Sequence, residues 1–585
     1  METAQPVDVR KARRAFFTPL STWAVARRVT PTRPPKYQLA LYTVLGIIVL
    51  LNLILFPKWV IDDAYIIFRY ADNFAQHGQL TFNVGEDPVE GYTGVLLSLA
   101  IAFALRLGMN PVVAAHVIGV GSYTLSLIFF DRLLRRLWGM GSPRIAWLLL
   151  LATAPFLYTH AYSGLETMLF TAILLCASLQ LHYVLSSTSA SLRPHALLAV
   201  LLLLLALCRP EGAVYAVVTP LLVTAVLAAR RRSWLPAIVY ASVLAAPGLV
   251  YFLWRWKYYG FLLPNTYYVK LSYTVTRGTV TTVKEFGGDY LLLPALGVVV
   301  TCIAWLAGAR APLVKVPGAY ARRPSLLTAG SLLLFTGAVL AVYMRSTLSM
   351  NFSYRFYAPL YPVALLLLAG VWLPAFHAVR LCSKSRPLSR LIVLVALSAG
   401  LIIQTGFQIQ LLVLNEVPFA AGYMTGVAEP LRAAGQYLKR RMPGREWLVV
   451  FCEAGAIPFY SGLRTVDFGE YNDKYLSHKR FGPLKDRVNY FFAKNPGALA
   501  FTSTVWRRVK YGAGRDDGRE ADAITHDPRF ENYTLVRKFG GFTVAATFVQ
   551  FVFVRKDLQV AGREDGDRGA KEMVGRACQS RSKGR

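Results

Sequence analysis

The chain has 585 residues, of which 55% are hydrophobic and only 16% charged, with a formal net charge of +32. Soluble domains hold about 25% charged residues, so the composition excludes an ordinary soluble protein, and the repeated apolar runs are long enough to cross a bilayer. Most of the basic excess lies in short loops between those runs, where the positive-inside rule accounts for it, and there is no soluble basic domain of the kind that binds nucleic acid.

In chain order, residues 1–38 form a basic tail without a small-residue cleavage site, which reads as a cytoplasmic segment before an uncleaved first helix. Spans are expected at about 39–56, 112–130, 145–160, 165–185, 196–209, 212–229, 235–256, 290–307, 325–343, 356–376 and 391–414. The apolar stretch "GYTGVLLSLAIAFALRLG" (91–108) belongs to a first outer loop, 57–111, and lies on or dips into the membrane. That choice puts the basic residues Arg132, Arg135, Arg136 and Arg144 on the cytoplasmic side, together with Arg230, Arg231 and Arg232. Arg310, Lys315, Arg322 and Arg323 follow them there, as do Arg380, Lys384, Arg386 and Arg390. The expected fold is therefore a polytopic α-helical membrane protein of about 11 transmembrane helices, multi-pass in the plasma membrane, with residues 415–585 outside.

Residues 415–555 read as an extracytoplasmic α/β domain. "AEPLRAAGQYLKRR" is helix-like, "WLVVFCEAGAI" strand-like, and "LVRKFGGFTVAATFVQFVFVRK" resembles a hairpin turning at its glycines. The charged tail 556–585 has few large apolar residues and reads as disordered. The six cysteines are scattered without a C-x-x-C pair, so neither a disulfide framework nor a zinc site is legible.

With this topology, polar motifs collect on the outer side: Asp62 and Asp63, "YSGLETM" with Glu166, "CRPEG" with Arg209 and Glu211, "WKYYGFLLPNTYYVK", and "NFSYRFYAPLYP" with Arg355. Ionisable groups at helix ends inside a membrane protein are costly unless they face one another or a wet cavity. Each also has an ordinary reading. Asp62 is an N-cap for a helix that stops at Gly78, with Arg69, Asn73 and Gln76 on its face. Glu166 caps a helix, Arg209 pairs with Glu211, Asn265 is a turn residue, and Lys270 and Arg355 snorkel. Singly these suffice. Two acids at one helix start exceed what a cap needs, and a helix N-terminus keeps a carboxylate ionised.

"DDAYIIFRYADNFAQHGQLTFNVGEDPVEGYTG" resembles the first outer loop of GT-C glycosyltransferases, and more closely a bacterial subgroup that includes actinobacterial terminal arabinofuranosyltransferases. "SGLETMLF", "CRPEG", "YYGFLLPNTYYVK", "RFYAPLYP" and "EAGAIPFYSGLRTVDFGEYNDKY" are similar to further blocks of that subgroup, in order, over roughly residues 60–475. The resemblance implies inverting transfer of a sugar, arabinofuranose in the subgroup, from a polyprenyl-phosphate donor to an envelope polysaccharide. An aspartate of the first loop would be the base. The role falls on Asp62 or Asp63, with Asp62 favoured as base and Asp63 as support. Glu453 departs from the aspartate usual in the subgroup.

The chemistry fits. The departing lipid phosphate needs cations rather than a proton, which Arg209, Lys270 and Arg355 supply, with hydroxyls from Tyr267 and Tyr268. The acceptor hydroxyl needs one carboxylate base. Arg69, Glu166, Glu211 and Asn265 are the candidates for holding the sugars. No cofactor is expected. Acids alone could bind a divalent metal, but no spacing requires one and none is assigned. The competing readings are a flippase for a lipid-linked glycan, a GT-C transferase using another sugar such as mannose, and a membrane protein that only binds a partner.

Overall fold

The computed structural model describes residues 36–561, apart from 142, 231–232, 271–276, 309–322, 347, 349, 383–386, 443, 445, 452, 470, 479–481, 511–516 and 543–546. The N-terminal tail, most of the C-terminal tail, the Lys270 side chain and the loop residues Arg231, Arg232, Arg310, Lys315, Arg322, Lys384 and Arg386 lie outside the described residues. The chain divides into two compact units, Met1–Ile47 and Ile48–Arg585. Of the first, residues 36–47 are described as the opening part of the apolar helix Lys36–Leu55. Everything below concerns the second.

Among the described residues, seven helices are long and apolar enough to span a membrane: Pro111–Trp138, Thr167–Ser186, Pro210–Ala229, Leu235–Tyr259, Gly278–Ile303, Arg323–Tyr343 and Ala399–Arg441. The pair Arg144–Ala152 and Pro155–Tyr162, bent by 52°, makes an eighth. The expectation of about 11 is not confirmed by this count; among the described residues Arg193–Cys208, of 16 residues, is shorter than a full span, ended by extended backbone at Arg209. The stretch 91–108 holds a helix of 12 residues, Val95–Arg106. At roughly 18 Å it is too short to cross.

The helix that contains Ala399–Arg441 runs unbroken over residues 387–441, roughly 80 Å at 1.5 Å per residue. That is more than twice a bilayer's apolar thickness, so its C-terminal part stands clear of the membrane. It passes through the expected boundary at 414/415 without a break, widening at Leu412–Glu416 and Met424–Ala428. The membrane module and the C-terminal domain are therefore joined by a rigid rod rather than a linker.

The domain is a five-stranded sheet, β1 (Trp447–Phe451), β2 (Arg464–Asp467), β3 (Ala498–Ser503), β4 (Tyr533–Phe542) and β5 (Thr547–Arg555), in the order β2-β1-β3-β5-β4. β2, β1 and β3 are parallel, and β5 and β4 add on antiparallel. The parallel strands are buried on both faces and read as continuous apolar runs such as "WLVVF". Phe451 and Phe501 stack at 4.4 Å, and Val466, Leu499, Phe491 and Phe551 complete the core.

Two details differ from expectation. The glycines of "FGGF" lie within β4, paired with Val549 and Phe548, rather than in the turn. They are needed for close approach: a Cβ on Gly540 would lie 2.9 Å from the Trp506 ring, and one on Gly541 would lie 2.6 Å from Gly426 Cα. Residues Lys556–Ala561 form a 3-10 turn where disorder is expected, with Asp557 held by Arg555 at 2.8 Å.

The first loop docks on this domain. Helix Asp62–His77 ends as expected at Gly78, with φ of 68°. Arg69 is buried and uses four of its five N–H donors, to Phe82 O at 2.7 Å, Pro458 O at 2.5 Å, Leu463 O at 2.7 Å and Asn83 Oδ1 at 3.1 Å. Asn83 in turn accepts from Thr465 N at 2.9 Å and donates to Thr465 O at 2.8 Å, pairing with the free edge of β2 as a strand would. Arg69→Met would strand several buried carbonyls. We expect a loss of about 3 kcal/mol, read as a lowered Tm of the detergent-solubilised protein; an unchanged Tm would contradict this role.

Candidate active site

Trp59 fixes where the first loop leaves the membrane helices. It is fully buried, donates Nε1 to Thr159 O at 3.2 Å, and meets Phe352, Phe419 and Tyr423 edge-on. Two residues later, Ile61 N bonds Ser163 O at 3.1 Å, which sets the start of helix Asp62–His77 against the turn that carries Glu166. Gly164 has φ of 81°, and a Cβ there would lie 2.9 Å from the Ala64 side chain. At the other end of the loop, a Cβ on Gly94 would strike Cys208 O, next to Arg209. The loop thus touches both membrane motifs directly.

Asp62 is not the cap of its own helix. Ile61 holds the N-cap position and makes no side-chain cap bond. The Asp62 carboxylate instead accepts Gly455 N at 2.8 Å and Ala456 N at 2.7 Å, the amides that open helix Ala456–Ser461 of the C-terminal domain. Its own amide donates to Tyr423 Oη at 2.9 Å. Glu453 hydrogen-bonds the same carboxyl, and a bond between two carboxyls requires one of them to carry a proton. Asp62 is 3% exposed, whereas Asp63 is half-buried.

Burial pushes the Asp62 carboxyl up to about 7; the two amides pull the other way, and the Asp63 charge adds to the rise. The start of its own helix does not hold this carboxyl in the usual carboxylate range as expected, because burial outweighs the groups that oppose the rise. Glu90 and Asp467 are likewise pushed up to about 7 by burial, with Arg255 the main opposing influence on Glu90.

The basic motifs converge with Glu166. Its Oε1 is 3.1 Å from Arg355 Nη2 and 3.4 Å from Arg209 Nη1. Arg209 also binds Glu211 at 2.8 Å, and Tyr343 Oη donates to Glu211 at 2.6 Å. Two arginines thus face two carboxylates in a buried, charge-balanced cluster. Arg355 Nε has no hydrogen-bond acceptor among the described residues, and Arg209 Nη1 makes only its 3.4 Å ion-pair contact with Glu166.

The remaining candidates sit apart from this cluster. Asn265 is buried; its amide donates to Glu90 O at 3.2 Å and its Nδ2 to Tyr471 O at 3.3 Å, tying the first loop to the domain. Tyr267 and Tyr268 are 44% and 38% exposed and pack by their rings, Tyr268 beside His478 at 5.0 Å. Arg69 lies under the domain, as described above. The buried Glu90–Arg255 pair at 2.8 Å has no counterpart among the residues singled out from sequence. Glu416, which accepts from Thr159 and from Ser353 Oγ, has none either; an acid inside an apolar run was the available signal. Among the described residues, no three His, Cys, Asp or Glu side chains gather closely enough to hold a metal ion.

Carboxyls that bind their protons more tightly folded than unfolded make stability fall as pH rises from about 4 to about 7. Asp62→Asn removes one contributor. We expect its Tm to fall less steeply than that of the unaltered protein across this window, and identical slopes would refute the assignment.

No protein-family model and no curated protein matches this sequence. Among solved structures, the chain is similar to ArnT from Cupriavidus metallidurans bound to undecaprenyl phosphate, with a TM-score of 0.53, 16% identity, and 90% of this chain and 99% of that one covered. The apo form of the same protein gives a TM-score of 0.53 at 15% identity, with 90% and 99% covered. The apo oligosaccharyltransferase of Archaeoglobus fulgidus gives 0.49 at 12% identity, with 79% and 69% covered.

Proposed function

From the GT-C membrane fold that the chain shares with ArnT, we propose a glycosyltransferase that takes its sugar from a polyprenyl-phosphate donor. The carrying observation is the Ile61–Ser163 backbone bond, which sets an acid-bearing helix against a buried arginine cluster at one end of the membrane helices. An acceptor hydroxyl needs a base, and a departing phosphate needs cationic donors, within reach of one another. The undecaprenyl phosphate bound in the ArnT structure supports a polyprenyl-phosphate lipid here.

Within this reading the two aspartates exchange the roles expected from sequence. Asp62 has both oxygens committed to peptide N–H groups and a proton-sharing partner in Glu453, so it acts as support. Asp63 is the more accessible acid and is the base. Arg209 and Arg355 carry no surplus charge against Glu166 and Glu211, so they meet the phosphate through N–H donors that the carboxylates leave unfilled, Arg355 Nε first among them. Lys270 is the third cation that the sequence motifs assign to the phosphate. Asn265 and the exposed Tyr267 and Tyr268 line the approach. The sugar is arabinofuranose and the acceptor an envelope polysaccharide on the extracytoplasmic side, as the sequence motifs imply.

A panel of synthetic polyprenyl-phospho-sugars, including arabinofuranose and mannose, offered to the purified protein with an arabinan acceptor tests this. We expect transfer from the arabinosyl donor and a drop of about 10³-fold in kcat for Asp63→Asn. Undiminished transfer by Asp63→Asn would remove the base assignment. Absence of transfer from every donor, with vectorial movement of one in liposomes, would replace the enzyme by a flippase.

A further inference from the structure

The loop after β3 carries chemistry that sugar transfer does not use. Residues 504–510 close on themselves: Thr504 N bonds Lys510 O at 2.8 Å, and Ser503 Oγ accepts Lys510 N at 2.9 Å and donates to Arg508 O at 2.8 Å. Lys538 Nζ fixes Trp506 O at 2.7 Å, and Gly540 leaves room for the Trp506 ring. The loop is therefore preformed. With Thr547 it encloses a hollow of about 550 Å³ lined by Val505, Trp506, Arg507, Arg508 and Lys510, with no acidic residue among the lining. The three cations are exposed, and Trp506 is 40% exposed.

Strand direction shows where this loop faces. β1 and β3 are parallel, so their carboxyl ends share one edge of the sheet. From that edge β1 leads to Glu453 and to the amides that hold Asp62, three residues beyond Trp59 and its bond to the membrane segment at Thr159. β3 leads from the same edge into 504–510. The hairpin confirms the direction. Phe539 meets Tyr437 at 5.7 Å, and two residues on Gly541 meets Gly426, so β4 runs back along the long helix toward the membrane. A tryptophan and three cations thus point from the membrane-facing edge.

We propose that this loop docks on the anionic headgroups of the leaflet beneath it and steadies the domain over the site. Tryptophan favours the headgroup level, and each cation near an anionic surface adds to the attraction. The proposal is independent of the sugar-transfer reading, because its test reads no activity. The full-length protein is placed in nanodiscs of phosphatidylcholine, with or without phosphatidylglycerol, and acetylation of Lys510 is followed by mass spectrometry with Lys439 as reference. We expect Lys510 to react roughly fivefold more slowly in the anionic discs. The difference should vanish at about 1 M salt, where the Debye length is about 3 Å, and in an Arg507→Ala/Arg508→Ala variant. Equal rates in both discs would overturn the proposal. So would protection by soluble polyglucuronate in neutral discs without any effect of phosphatidylglycerol, which would make the hollow a site for an acidic polymer.

Discussion

The bonds from the Asp62 carboxylate to the Gly455 and Ala456 amides hold this structure's site together. They cross from the first membrane loop to a domain nearly four hundred residues away in sequence. Everything else at the site is arranged around that crossing. Tyr423 on the long helix takes the Asp62 amide, Glu453 shares the carboxyl, and Arg69 clamps the same helix to Pro458 and Leu463. A buried carboxylate tolerates its loss of water only when such donors replace it. The remaining cost appears as its raised proton affinity.

The same constraint explains why the domain sits where it does. The long helix over residues 387–441 sets its height and permits no linker-like freedom, while the Asp62 and Arg69 contacts set its rotation about that rod. The carboxyl edge of the sheet then faces the membrane. Both the Gly455 and Ala456 amides that hold Asp62 and the basic loop 504–510 follow strands ending at that edge, so one orientation places both. Gly540 and Gly541 serve this packing through the space they leave rather than through a turn.

Charge balance gives the membrane cluster its character. Arg209 and Arg355 are compensated by Glu166 and Glu211 without being saturated, which suits a ligand that arrives with its own negative charge. A cluster with surplus cations would be harder to bury, and one with every donor filled would have nothing to offer. The strained left-handed backbone at Ser353 and Tyr354 precedes Arg355, with Ser353 Oγ held by Glu416. That anchoring over-determines a conformation that would otherwise cost energy.

The sequence by itself determined the membrane character, the helix Asp62–His77 with its stop at Gly78, the strand-rich domain and the motifs that meet at the site. Each is written locally, in apolar run length, in 3.6-residue periodicity, in a glycine where φ is positive, or in β-branched and aromatic runs. Only the tertiary structure decided what the polar residues do. Asp62 reads as a cap because local pattern offers it only its own helix, yet its partners lie in the domain. Arg69 reads as a ligand-facing residue on that helix, yet four of its donors are spent on backbone and Asn83. The glycines of "FGGF" read as a turn, yet the strand continues through them because Trp506 and Gly426 need the space. Hydrogen bonds and close approaches between distant segments leave no periodic trace in sequence, so the partners of Asp62 and Arg69 had to wait for the fold.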